Sequence, residues 1–540
     1  MKYAKLFNKK STHQSQPIPG SDQVRNSAGG YAWAVDAWTQ LDRFLILGSE
    51  DGTYYISERK LTVDNAKNVI ACLLIDGKRV VSRIVEVSQK GMAPKNDPAI
   101  FALALAASYG DDGTRAAALA ALSAVCRTGT HLFQFAAAID GLRGWGRGLR
   151  RAVGRWYNEK PVAELQYQLV KYMQRGGWSH RDMLRLAHPV PASDEHKALY
   201  NWVVSCGTSV PDVVSSTVPV ENLGRAAPTT FGLIDAVDRL KTADAKAAAA
   251  IIRDNRVPRE AIPTELLKEP QVWEALLEDM PMTAMIRNLA TMTRIGLVKP
   301  GSESARKVEF RLADADRLRK ARVHPMALLI AQKTYASGHG LKGAGMWSPV
   351  PAIVDALDAA FYTAFENAET TGKRYLLGVD VSGSMGVAGV GGSPLTACEA
   401  ATAMAMVTVA SEKTVFPMAF ACAFKPLPLS RRMRLDDALR HTRDQNFGRT
   451  DCALPMLYAM EHKLDVDAFV VYTDNETWFG AIHPAQALRQ YRERTGIPAK
   501  LIVVGMVSNG FSIADPKDGG MLDVVGFDTT VPQAMARFVA

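Results

Sequence analysis

Tyr375-Leu-Leu-Gly-Val-Asp-Val-Ser-Gly-Ser-Met385 is an apolar run of strand length that ends in three oxygen-bearing side chains at alternate positions, Asp380, Ser382 and Ser384. Gly383 and Gly386 let the backbone turn sharply, so the run predicts a strand whose C-terminal end opens into a cation-binding loop. Hard divalent ions take oxygen ligands and leave positions open for water or a partner's oxygen. One carboxylate and two hydroxyls make only half a shell. Open α/β sheets gather ligands outside the carboxyl ends of their strands, so the remaining oxygens should come from other loops on that edge. Two later stretches qualify. Gly448-Arg-Thr-Asp-Cys452 offers Thr450 just before a helix-like run, and Phe469-Val-Val-Tyr-Thr-Asp474 is a second apolar strand that terminates in a carboxylate. Asp380, Ser382, Ser384, Thr450 and Asp474 therefore form a predicted five-oxygen site for a divalent cation, Mg²⁺ before Ca²⁺ or Mn²⁺. The competing reading is a set of ordinary strand-end turns with capping Ser and Asp, and it requires three strand ends to coincide by accident.

Downstream of this stretch, strand and helix patterns alternate. Strands are expected at Tyr375–Val379, Pro417–Phe424, Ala468–Thr473 and Lys500–Met506, with helices at Leu395–Ala410, Leu435–His441, Cys452–Lys463 and Pro484–Arg494. Ser393-Pro394 reads as a helix cap followed by a first-position proline, and Pro484 sits similarly. The alternation predicts a doubly wound, Rossmann-like sheet from about residue 371 to 540. Upstream, from about Tyr31 to Leu357, the texture is helical, with runs such as Pro98–Tyr109, Thr114–Cys126, Pro161–Gln174, Pro270–Met280 and Pro325–Ser337. A last helix runs from the Trp347-Ser-Pro-Val-Pro stretch to about Glu369. No clean repeat period emerges, so the expectation is an irregular stacked helical array, with a loop or short strand excursion at Gly207–Thr230.

The 540 residues allow two or three domains, and 47% hydrophobic with 22% charged residues are globular values. No stretch reaches about 18 consecutive apolar residues, so no membrane partner is expected. The polar start of the chain, residues 1–28, reads as a flexible tail without a signal-peptide core, and the protein as cytoplasmic. Six scattered cysteines without a C-x-x-C pair indicate neither a disulfide framework nor a zinc site; reduced and mostly buried thiols are expected. The net charge of +9 is unevenly placed. From Phe361 onward there are 17 basic against 19 acidic residues, and before it 47 against 36. The basic surplus belongs entirely to the helical part, where a polyanion is the expected partner.

The pointed positive charge lies in two neighbouring stretches. Arg143, Arg147, Arg150 and Arg151 fall at i, i+4, i+7 and i+8, one stripe if the segment is a single helix. Lys171 and Arg175 are four apart near the end of a helical run, and Arg181, Arg185 and His188 stand at i, i+4 and i+7 on the next. Gly176 and Gly177 turn the chain between them. Such rows would offer forked donors to a phosphate backbone, and His188 could donate to phosphate or stack on a base. A solvated helix face is the bland alternative, weakened because few acidic residues interleave the rows. Trp145, Trp156 and Trp178 read as core, as do Met280, Met282 and Met285.

Several stretches resemble a known family. Trp145-Gly-Arg, Arg155-Trp-Tyr-Asn-Glu-Lys, Lys171-Tyr-Met-Gln-Arg-Gly-Gly-Trp-Ser-His-Arg-Asp-Met-Leu-Arg-Leu-Ala-His, Pro281-Met-Thr-Ala-Met-Ile-Arg-Asn-Leu, Val323-His-Pro and Gly48-Ser-Glu-Asp-Gly-Thr-Tyr-Tyr look like the TROVE module of Ro ribonucleoproteins, and the chain reads as a bacterial member. The five oxygens match the metal-ion-dependent adhesion site of von Willebrand factor A domains. The resemblance implies a ring of HEAT-like helical repeats, residues 29–362, closed by a von Willebrand factor A domain, residues 371–540. It further implies Y-like small RNAs on a basic outer surface and the 3′ single-stranded ends of misfolded noncoding RNAs in a central hole, in RNA quality control and maturation. A 3′-exoribonuclease tethered through RNA is an implied partner, and the chain is expected to be monomeric when free of RNA. Lys171, Arg175 and His188 match positions that contact Y RNA; the other arginines rest on spacing alone. Arg449 departs from the pattern, since animal members carry Gly beside the threonine ligand.

No phosphate loop of the G-x-x-x-x-G-K-[ST] type, no H-E-x-x-H and no G-x-S-x-G is present, so the expectation is a non-catalytic scaffold. Two rivals remain. One is a nuclease using a metal held by Asp380 and Asp474, and the other is a metal-dependent adhesion module that binds proteins on a helical scaffold.

Overall fold

The computed structural model describes residues 11–47, 66–93, 95–205, 231–340, 345–364, 370–387, 395–443, 449–507, 509–526 and 531–540. The stretches expected to matter at Gly48–Tyr55, Gly207–Thr230, Ser393-Pro394 and Gly448 lie outside them. From Ala37 to Ala364 the described elements are helices, apart from one two-stranded hairpin of Gln174–Arg175 and Trp178–Ser179. Helices Pro270–Asp279 and Pro325–Ser337 start where expected, each with proline in the first turn, where a missing N–H breaks no helical bond. Helix Asp97–Tyr109, expected from Pro98, is apolar on every side because it packs between helices Lys67–Lys90 and Gly129–Leu142. Large side chains such as Phe44, Phe133, Trp156 and Trp273 are fully buried, each stabilising the array by about 1.5–3 kcal/mol.

Two helical expectations change. The Thr114–Cys126 run is two helices, Asp112–Ala120 and Leu122–Val125, joined at Ala121. The Pro161–Gln174 run stops at Lys171, because Tyr172 leaves helical geometry (φ −114°, ψ 30°) and the chain enters the hairpin.

The α/β domain holds a six-stranded sheet in the order Met521–Val525, Lys500–Gly505, Ala468–Thr473, Arg374–Asp380, Thr414–Phe420, Phe424–Pro426. All neighbours are parallel except the last pair. The expected strand Pro417–Phe424 is thus a hairpin: the chain reverses at Ala421–Ala423, where the Ala421 N–H bonds the Ala423 carbonyl at 3.0 Å. Helix Ala397–Ser411 begins with a capping box of Thr396 and Glu399, which satisfies its orphan donors in place of the expected Ser393 cap. It is buried on all sides against the sheet. Strand Met521–Val525 and helix Val531–Val539 were not anticipated.

The chain leaves the Arg374–Asp380 strand toward one edge of the sheet and later returns to lay Ala468–Thr473 on its other side. The order reverses between these two strands, and that switch point is where open α/β sheets bind ligands. Their C-terminal ends carry Asp380 and Asp474.

The two domains close on each other into a ring. Within the array, His324 Nε2 meets the Met92 carbonyl at 2.9 Å, joining the start of the helical run to its end. The first helix, Ala37–Leu47, packs on strand Met521–Val525 and sends a fully buried Arg43 into the α/β domain. There its guanidinium donates to the Asn509 carbonyl (2.5 Å), the Phe511 carbonyl (3.0 Å) and Asp523 (2.7 Å). At the other end Lys333 pairs with Glu399 at 2.8 Å, and Arg434 with Asp355 at 2.6 Å. The segment expected as a free tail is, from Ser11 onward, laid against the α/β domain. Gln14 is fully buried and donates to Asp451 (2.7 Å) and the Ile482 carbonyl (2.8 Å), while strand Tyr31–Ala34 pairs with Phe511–Ser512. Polarity that reads as solvation is used internally, because the buried amide groups of Gln14 and Asn26 find partners.

Candidate cation site and nucleic-acid interface

Asp380, Ser382, Ser384, Thr450 and Asp474 are all buried, at 0–6% exposure, around the switch point. Asp380 Oδ1 accepts the Ser382 amide at 2.9 Å and Oδ2 the Thr473 hydroxyl at 2.7 Å. The Ser382 and Ser384 hydroxyls are 3.1 Å apart, and Asp474 Oδ1 accepts the Glu476 amide at 3.0 Å. The Thr450 carbonyl accepts the Phe479 amide at 3.1 Å, which ties the second loop to the third. Asp474 Oδ2 is buried and has no hydrogen-bond partner.

Burial, and next the neighbouring Asp474 carboxylate, push the Asp380 carboxyl up to about 7. Burial also raises Asp474. Glu476, not singled out from the sequence, follows for the same two reasons and reaches about 7. Buried like charges with one unpaired carboxylate oxygen and two adjacent hydroxyls make a donor set for a hard, oxygen-seeking cation. Among the described residues no group of three or more His, Cys, Asp or Glu has metal-site geometry, consistent with a cup whose remaining donors are hydroxyls.

The support around the cup comes from residues no motif revealed. Asn509 Nδ2 donates to the Asp474 carbonyl at 2.5 Å and Asn509 Oδ1 accepts from Arg43 at 3.1 Å, so one side chain links the candidate cation loop to the first helix of the array. Ala28 N–H bonds Glu476 at 3.0 Å, and Asn26 bonds the Thr477 carbonyl at 2.8 Å. Arg449 is exposed, with its guanidinium 5.2 Å from the Trp478 ring and 5.1 Å from that of Phe479.

The basic residues fall on five elements. Arg143 is not on the helix with the other three arginines: it caps helix Gly129–Leu142 and donates to the Ala107 carbonyl at 3.1 Å. The predicted stripe is broken there because the chain turns through Gly144–Gly146, Gly144 having φ +77°. Arg147, Arg150 and Arg151 are exposed in the first turns of helix Arg147–Asn158. Cations at a helix N-terminus oppose the macrodipole by roughly 0.3–1 kcal/mol, so they are poor choices for stability and good ones for meeting an anion. Lys171 ends helix Val162–Lys171, whereas Arg175 lies in the hairpin rather than on that helix. Gly176 and Gly177, at φ +58° and +82°, make its turn as expected. Arg181 and Arg185 lie on helix His180–Ala187, and exposed His188 caps it in left-handed geometry.

These elements pack together. Trp145 and Trp178 lie 6.0 Å apart, half-buried rather than in the core as expected, and Tyr157 bonds His180 at 2.7 Å. Trp156 and the three methionines are core, as expected. Among the described residues neither the eight lysines and arginines nor His188 forms an ion pair with a carboxylate.

A TROVE domain model matches residues 24–337, and a Ro60 vWA domain model matches residues 374–539. The RNA-binding protein RO60 of Caenorhabditis elegans is 38% identical over 581 residues, spanning 96% of this chain and 90% of the worm protein. The RNA-binding protein RO60 of Deinococcus radiodurans is 41% identical over 519 residues, spanning 96% and 95%. The crystal structure of the Deinococcus radiodurans RO (RSR) protein superposes with a TM-score of 0.68 at 39% identity, covering 93% of this chain and 99% of that one.

Proposed function

Because the chain belongs to the Ro family of TROVE and Ro60 vWA domain proteins, we propose that it is a non-catalytic RNA-binding scaffold. The observation that carries this reading is the set of eight lysine and arginine side chains, with His188 beside them, on adjoining elements of the helical domain, none of them in an ion pair with a carboxylate among the described residues. Structured small RNA of the Y-like class is the proposed ligand of Lys171, Arg175, Arg181, Arg185 and His188, with Arg147, Arg150 and Arg151 extending the surface. Arg143, Lys171 and Arg175 also donate within the fold, to the Ala107 carbonyl, the Tyr167 hydroxyl and the Gln174 carbonyl, neutral acceptors that leave their charge unpaired. Misfolded noncoding RNA with a single-stranded 3′ end is the second proposed ligand, and a 3′-exoribonuclease tethered through RNA is a proposed partner.

In the same reading Asp380, Ser382, Ser384, Thr450 and Asp474 hold a divalent cation, Mg²⁺ by preference. When bound, the ion would supply positive charge to two buried carboxylates and an open position for a partner's oxygen. Asp380 is already committed to the Ser382 amide and the Thr473 hydroxyl, so it serves as a ligand rather than as a general base for phosphoryl chemistry.

Binding of labelled structured RNA, measured against salt, tests the scaffold reading. Affinity should fall steeply as salt rises, and the Lys171→Ala, Arg175→Ala double variant should bind about tenfold more weakly or worse. Incubation with Mg²⁺ should leave the RNA intact. Cleavage that Asp380→Ala abolishes would replace the scaffold with a nuclease.

A further inference from the structure

Helix Met282–Arg294 carries Thr283, Arg287, Ala290 and Arg294 at i, i+4, i+7 and i+11, one stripe along its surface. Arg287 and Arg294 are exposed, and among the described residues neither has a hydrogen bond or an ion pair. Between the Thr283, Arg287 and Ala290 part of this stripe and helix Pro325–Ser337 opens a cavity of about 360 Å³, floored by Ile286, Leu289, Met326 and Ile330 and bordered by Tyr335 and Trp347, with Arg294 farther along the helix outside its lining. That volume falls in the roughly 300–1,000 Å³ range of ligand pockets. Lys95 stands at its rim, and no acidic side chain among the described residues lines it. The two rings are stacked at 6.3 Å and 22°. Their polar groups are already used: the Tyr335 hydroxyl meets Thr293 at 2.8 Å and the Val350 amide at 3.3 Å, and the Trp347 indole N–H donates to the Tyr335 carbonyl at 2.9 Å. The cavity therefore presents apolar surface, while among the described residues the fixed charge at its edge is positive.

A ligand that suits it is flat and apolar where it enters and anionic on both sides. At 1.5 Å per residue Arg287 and Arg294 are roughly 10 Å apart along the helix, a spacing for two separate anions rather than for one carboxylate head group. A nucleobase between two phosphates meets these demands. A base inside a duplex does not, because its faces are stacked and its edges paired.

We propose that this cavity receives an unstacked base of single-stranded RNA, with Arg287 and Arg294 each holding a flanking phosphate. The site is separate from the residues proposed for structured RNA, although the proposal rests on the RNA-binding reading. Two probes test it: a short single-stranded oligoribonucleotide carrying 2-aminopurine, and a blunt hairpin without unpaired ends. Wild-type protein should change the 2-aminopurine fluorescence on binding. Arg287→Ala with Arg294→Ala should weaken the single strand at least about tenfold, within the range for losing one stacked base, and lower the salt slope by about 1.4, two phosphates at ~0.7 each. Ala290→Phe, which fills the cavity without altering charge, should abolish the fluorescence change and leave that slope intact. Hairpin affinity should be unchanged in all variants. Equal binding of the single strand by wild type and both variants, with hairpin binding preserved, overturns the pocket and leaves the scaffold standing. Failure of the wild type to bind either RNA overturns both.

Discussion

His180 is the first residue of the helix that presents Arg181, Arg185 and His188, and it is buried against Phe133, Trp156 and Tyr157. Burial lowers its imidazole to about 3, so the folded protein holds it neutral while the unfolded chain protonates near 6.5. The folded value is depressed, so this contribution to stability is complete above about pH 6.5 and is lost as pH falls toward 3. Unfolding followed from pH 7 to 5 should show the loss, at up to ~1.4 kcal/mol per pH unit. His180→Gln should flatten the profile by about one proton; an unchanged profile would place the acid sensitivity elsewhere. Gln14 poses a related question in the other domain. Gln14→Ala removes the side-chain amide donor of buried Asp451 and leaves it, among the described residues, only the Ala453 N–H, and thermal unfolding should register a loss of about 1–3 kcal/mol. Neither side chain was singled out from the sequence: a histidine in a basic stretch and a glutamine in a polar terminus look solvated until their neighbours are known.

The Gln174–Ser179 hairpin shows what one small element contributes. It offsets Arg175 from the helix that ends at Lys171, and its two positive-φ glycines set the separation of those cations. Replacing Gly176 and Gly177 together with valine forces a β-branched residue into left-handed geometry at both positions, at roughly 1–2 kcal/mol each. The expected outcome is a weaker grip on structured RNA with little change in helical circular dichroism; unaltered RNA affinity would show that the hairpin does not place Arg175. The elements themselves were largely legible. Apolar runs bounded by turn residues located strands Arg374–Asp380, Ala468–Thr473 and Lys500–Gly505 nearly to the residue, because strands buried on both faces cannot afford polar interruptions. Strand Met521–Val525 escaped because it lies at the sheet edge, where half-buried positions admit Asp523 and blur the pattern.

Arg43 joins the molecule's two halves and also approaches the cation loop through Asn509. Arg43→Ala would leave Asp523 short of its partner and open three backbone and side-chain acceptors, a change worth about 3–5 kcal/mol when one member of a buried pair is removed. Calorimetry should then resolve the unfolding of helical and α/β domains into separate transitions; one cooperative transition at the wild-type temperature would deny Arg43 that coupling. Magnesium offers a complementary readout. Added Mg²⁺ should raise the melting temperature of the wild type by mass action and leave Asp474→Ala unmoved.

The five residues of the candidate cation site could be picked out by spelling, since four of them end or follow an apolar strand, Thr450 precedes a helix-like run, and the switch-point rule says where strand ends converge. The division into a basic helical portion and an α/β portion was equally plain, because charge and hydrophobic period are local properties of the chain. Their supports were not. Gln14, Arg43, Glu476 and Asn509 act through partners up to several hundred residues away, and the break that separates Arg143 from its stripe depends on a turn that helical spacing cannot reveal. A contact between distant residues leaves no period in either segment, so only the folded arrangement determines which polar side chains are spent inside and which cations remain unpaired for a ligand.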